Sequence, residues 1–74
     1  MGKLKVLGGA DVCAILAAHG FAGVRQRGSH LLMQKKTQET TISVPVPQHR
    51  ELRTGTLISI IRQSGLPRSL FEES

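Results

Sequence analysis

Apolar positions along the chain switch between two periods. In "ADVCAILAAHG", Val12, Ile15 and Leu16 recur at i, i+3 and i+4 among alanines that favour helix. The spacing predicts a helix from about Gly9 to His19, with Gly20 as its left-handed stop. Its start is weakly capped, by Gly8 at the N-cap and Asp11 near the positive end of the dipole. From Phe21 the period falls to two. Phe21 to Gln26 reads as a short strand, Arg27-Gly28 as a turn, and Ser29 to Gln34 as a second strand. A polar loop, "KTQE", leads into "TTISVPV", a third strand rich in β-branched residues with Ile42 and Val44 on one face. Pro45 and Pro47 are expected to end it, since neither donates to a ladder. After the loop "QHREL" the helical period returns in "TGTLISIIRQSG". Leu57, Ile60 and Ile61 form one stripe, Thr54 is the expected N-cap and Gly65 the C′ glycine. Pro67 suits the first turn of a short last helix through about Glu72.

The order is α-β-β-β-α with a short C-terminal helix. It predicts a small α+β fold in which both main helices cover one face of a three-stranded antiparallel sheet. The other sheet face is left open. The periodicities place Val12, Ile15, Leu16, Phe21, Val24, Leu31, Met33, Ile42, Val44, Leu57, Ile60 and Ile61 in the core. With 74 residues and no linker, repeat or low-complexity stretch, the chain is expected to be one domain over residues 1–74.

Composition adds a partner to this picture. Ten Lys and Arg against five Asp and Glu give a net charge of +5. Such an excess points to an anionic partner, whether RNA, DNA, an acidic protein or a membrane surface, or else serves solubility alone. There is no Trp or Tyr and there are only two Phe, so aliphatic side chains must fill the core. The single cysteine, Cys13, cannot form an intrachain disulfide, which favours a reducing compartment such as the cytoplasm. No stretch approaches the roughly 18 apolar residues of a membrane helix, and "VLGGADVC" is no signal-peptide core.

The chemistry concentrates in "VRQRGSHLLMQKK", Val24 to Lys36. Strand alternation puts Leu31 and Met33 on one face, and His30, Leu32 and Gln34 on the other. Two large apolar residues favour turning the first face inward, so His30 points outward, or to the sheet edge at the start of its strand. Gly28 permits a left-handed backbone and close approach of a ligand. Arg25, Arg27, Lys35 and Lys36 flank the histidine in sequence. One reading is a general acid or base beside a phosphate-binding patch, since an imidazole transfers protons near neutral pH. The other is a surface histidine next to a hairpin turn. His19, His30 and His49 lack metal-ligand spacing, and Cys13 has no partner cysteine, so neither a metal nor a cofactor is expected. There is no P-loop, GxGxxG, GxSxG or pair of carboxylates. His19 reads as a helix C-terminal residue interacting with the dipole, and His49 lies in the loop after the third strand.

From about Leu7 to Leu66 the chain resembles the HicA family, the small mRNA interferase toxins of type II toxin–antitoxin systems, also called YcfA-like. "LAAHGF" looks like the end of the family's first helix, and "VRQRGSH" is similar to its glycine-serine-histidine signature. "ISVPVPQHRELRTGTLISIIRQSGL" is similar to its proline-bounded third strand and its "GTL" helix. The chain departs from the family at Leu31, often a second histidine or a polar residue, and at Met33, often an aromatic. The resemblance implies a fold like the double-stranded RNA-binding domain and a ribosome-independent endoribonuclease. Its essential histidine falls on His30, with Gly28 and Ser29 before it. Its partners would be mRNA and a HicB-type antitoxin that covers the active site, and the free toxin is expected to be a monomer or weak homodimer. On this reading His30 acts as general acid or base. Arg25, Arg27, Gly28, Ser29, Lys35 and Lys36 hold the RNA, with water, His49 or a cation as the second proton carrier. The rival readings are a non-catalytic RNA-binding module of the same fold, for which cations suffice, and a protein-interaction module.

Overall fold

A computed structural model describes residues 2–73. Its elements follow the expected order: helix α1 (Gly9–Ala18), strands β1 (Ala22–Arg27), β2 (His30–Lys36) and β3 (Thr41–Pro47), helix α2 (Thr54–Ser64) and a 3-10 turn at Arg68–Phe71. The strands form one antiparallel sheet in the order β1-β2-β3, with β2 central. Among the described residues no helix is long and apolar enough to cross a membrane.

Two adjacent glycines open α1 because the chain after β3 runs hard against it. A Cβ on Gly8 would strike the Arg50 carbonyl oxygen, and one on Gly9 the carbonyl oxygen of Pro47. The same approach lets the Gly9 N–H donate to the His49 carbonyl at 2.9 Å. Asp11 reaches back to accept from the Gly8 N–H at 2.9 Å, which is half of a capping box. Helix α2 starts one residue earlier than its sequence suggests. Arg53, not Thr54, is the N-cap, and Thr54 is already helical. Its end is as expected, on Gly65 with φ 71°. The last helix is a single 3-10 turn, and Phe71 at its end is fully buried.

The core lies between the helices and one sheet face. Val12 and Leu16 of α1, Met33, Val44 and Val46 of the sheet, and Leu57, Ile60 and Ile61 of α2 are buried together with Phe21. Ile15, Leu31 and Ile42 pack against this cluster from its edge. Leu7, Leu52 and Phe71 complete it from segments that lack any periodicity. The N-terminal segment is tied to the C-terminal one: Leu4 bridges Glu72, and the Lys5 N–H donates to the Phe71 carbonyl at 2.8 Å.

Val24, placed in the core by alternation, is half exposed at 52%. The ladder explains it. Gly23 pairs with Met33 and Arg25 with Leu32, consecutive residues on β2, so Val24 is the extra residue of a β-bulge. Pro45 likewise does not end the third strand, which runs through it to Pro47. β3 is an edge strand, and a proline is tolerated there when its missing N–H faces away from the neighbouring strand.

Candidate active site on the open sheet face

The β1–β2 turn is Gly28-Ser29, one residue later than expected, with Arg27 paired to His30 across it. Gly28 has φ 58°, and among the described residues none other than glycine has positive φ. A positive φ at the first turn position alone is the signature of a type II′ hairpin, whose twist suits the flanking strands. His30 is therefore the first residue of β2, locked between Arg27 on one side and Pro47 on the other. The Ser29 carbonyl accepts a hydrogen bond from the Gln48 backbone N–H, which anchors the turn to the chain leaving β3. The imidazole is exposed, and its Nδ1 lies 3.5 Å from Ser29 Oγ. Among the described residues Nε2 has no hydrogen-bond partner, so it is the nitrogen open to a substrate.

Paired residues of a sheet share a face. The open face therefore carries rows of Arg27, His30 and Pro47, then of Arg25, Leu32 and Pro45, with Gln34 and Ser43 beyond. The bulge sets this arrangement. Counting straight alternation from Gly23, which faces Leu31 and Met33 on the helix side, Arg25 and Arg27 would point into the core. The extra residue at Val24 turns both arginines to the side of His30, a common use of bulges next to functional sites. Arg25, Arg27, His30, Leu32 and Pro45 together line a shallow depression, mostly apolar in surface. A second hollow opens past the β3 edge, where His30 and Pro47 face Thr56 and Ser59 of α2.

The two lysines behave differently from the arginines. Lys35 pairs with Ile42 on the helix face, and its Nζ sits 5.9 Å from the centre of the Phe21 ring, a cation–π distance. It does not join the depression. Lys36 is on the open face opposite Thr41, but six residues along β2 from His30, about 20 Å at ~3.4 Å per residue. Gly28 and Ser29 form the turn itself. His49 lines a cleft with Arg53 that adjoins the second hollow through Pro47 and Thr56, but it lines neither hollow that His30 borders. His19 is the C-cap of α1, with Nδ1 3.0 Å from the Ile15 carbonyl oxygen. Among the described residues, no three of His, Cys, Asp or Glu come together in a metal-ligating group. Leu32 and Pro45 line the site without having been singled out in the sequence, although period two puts Leu32 beside His30.

An exposed histidine fixed by a hairpin, two arginines on the same face and no carboxylate between them form a constellation suited to an anionic substrate and to proton transfer. No curated protein matches the sequence. A family model described as the HicA toxin of bacterial toxin-antitoxin matches residues 9–66, which takes in α1, the whole sheet and α2. The chain belongs to the HicA family, the toxins of bacterial toxin–antitoxin pairs.

Proposed function

We propose that this toxin is an endoribonuclease in which His30 carries the proton and Arg25 and Arg27 hold the RNA. The observation that supports it most is the row Arg27–His30–Pro47, which brings an exposed imidazole and a guanidinium to one depression on the open face. His30 Nε2 takes the proton of a ribose 2′-hydroxyl. The 2′-oxygen then forms a bond to the adjacent phosphorus, and the P–O5′ bond breaks. O5′ leaves with a proton from the imidazolium or from water, and the products are a 2′,3′-cyclic phosphate and a 5′-hydroxyl. A positioned acid or base of this kind contributes typically ~10²–10⁴-fold. The arginines offset the charge that grows on the phosphorane oxygens. Histidine and arginines suffice for this route, so it proceeds without a divalent cation.

The substrate is mRNA in the cytoplasm, and the partner that silences the toxin is a HicB-type antitoxin covering the open face. Family membership and the net charge of +5 support both statements. The test is a pair of variants, His30→Ala and His30→Gln, assayed for cleavage, growth inhibition and binding. Both are expected to lose cleavage and toxicity while keeping the thermal midpoint and antitoxin binding. Glutamine still hydrogen-bonds but cannot carry the proton. Wild type and variants that bind RNA alike, with none of them cutting it, would point to the binding module instead.

A further inference from the structure

We propose that the depression beside His30 is a nucleobase subsite for single-stranded RNA, taking the base of the nucleotide whose 2′-hydroxyl attacks. The proposal rests on the ribonuclease reading. Its floor is the cross-strand pair Leu32 and Pro45, and Arg25, Arg27 and His30 stand around it. A phosphate has no use for such a floor, because laying it on two aliphatic side chains strips its hydration without replacement. A nucleobase has apolar faces and polar edges. One face can lie on Leu32 and Pro45, and the guanidinium of Arg25, in the same cross-strand row, can stack on or donate to the rest. No carboxylate lines the depression, so nothing there repels the neighbouring phosphates.

Distance assigns the nucleotide. His30 and Leu32 are two residues apart on one face of β2, about 7 Å at ~3.4 Å per residue. That is comparable to the separation of a base from the 2′-oxygen of its own ribose. The base on Leu32 therefore belongs to the ribose held by His30, and the strand continues past His30 into the hollow between the β3 edge and α2. In an A-form duplex the bases are stacked and paired inside, with only sugar, phosphate and groove edges on offer, so none can enter the depression. Apart from His30, the lining side chains carry no acceptor. The subsite thus requires a base but discriminates weakly among the four.

The test uses the full chain carrying His30→Ala, which removes cleavage from the measurement. The probes are a uridine octamer and an abasic ribose-phosphate octamer of equal charge. The intact octamer is expected to bind about tenfold more tightly, in line with loss of base stacking. Leu32→Ser is expected to abolish that difference while leaving the abasic affinity unchanged. Leu32→Phe, which supplies an aromatic floor, should strengthen binding of the intact octamer only, a gain that misfolding cannot mimic. Adenosine and uridine octamers should differ by less than the intact and abasic ones, and annealing the octamer to its complement should remove the effect of Leu32. Equal binding of intact and abasic octamers, or a duplex as sensitive to Leu32 as the single strand, would overturn the subsite. Cleavage of the octamer by the protein with His30 intact is scored separately, so a failed nuclease and a failed subsite are told apart.

Discussion

At the scale of single residues, the side of the sheet a cation occupies decides what it can do. Arg27 shares a row with His30, whereas Lys35 lies across the sheet over the Phe21 ring. Arg27→Ala should weaken RNA binding and reduce the slope of log affinity against log salt by about 0.7, the loss of one neutralised phosphate on a single strand. Lys35→Ala should leave that slope unchanged and act only on stability. Binding titrations at several salt concentrations check both, and equal slopes for the two variants would contradict the face assignment. Gly28 is constrained for a different reason. Nothing lies within 4 Å of a Cβ built there, so the cost of Gly28→Ala comes from its φ of 58° alone. A non-glycine residue held in such a sparsely populated conformation costs roughly 1–3 kcal/mol. The variant should melt lower and also cut RNA more slowly, because relaxing the turn moves the first residue of β2. An unchanged melting curve would remove the type II′ turn from the account.

At the scale of elements, the two helices make opposite demands on glycine. Gly9 opens α1 against the Pro47 carbonyl, so Gly9→Ala overpacks a backbone contact and should cost about 1–3 kcal/mol despite alanine's better helix propensity. Gly55 lies inside α2 with open space around its Cβ position, and Gly55→Ala should stabilise by about 0.5–1 kcal/mol. Denaturant unfolding of the two variants measures both signs, and a stabilising Gly9→Ala would mean that α1 does not abut the chain after β3. The helices themselves were legible because their stripes at Val12–Leu16 and Leu57–Ile61 repeat with the helical period. Period two likewise revealed that His30 faces outward and Met33 inward. Alternation also puts Lys35 with Met33, but closeness in sequence suggests grouping it with His30, and there the alternation is the better guide. The bulge at Val24 could not be read, because it is a property of the β1–β2 register rather than of β1. Pro45 reads as a strand end only while the strand order is unknown; on an edge strand it fits. Leu7 and Leu52 reach the core from irregular segments and Phe71 from a single 3-10 turn, too short for a period to announce burial.

At the scale of the whole molecule, the core extends beyond the part shared with the family. The match ends at residue 66, yet Phe71 is fully buried and its carbonyl accepts from the Lys5 N–H. Phe71→Ala should cost about 3–5 kcal/mol, a large share of what holds so small a chain folded. A thermal scan that shows no change would mean the C-terminal turn is dispensable. The charge is likewise a property of the molecule: five surplus cations over 74 residues would attract RNA to any face, and the open one is where a histidine and two arginines line a common depression. If this histidine cuts RNA through the 2′-hydroxyl, the ends of the products will show it. Purified toxin is incubated with a synthetic single-stranded RNA in EDTA, and the fragments are identified by mass. The expected fragments carry 2′,3′-cyclic phosphate or 3′-phosphate ends with 5′-hydroxyl partners, undiminished by the chelator and absent with His30→Ala. Fragments bearing 5′-phosphates that form only with a divalent metal, or cleavage that survives the loss of His30, would contradict this mechanism.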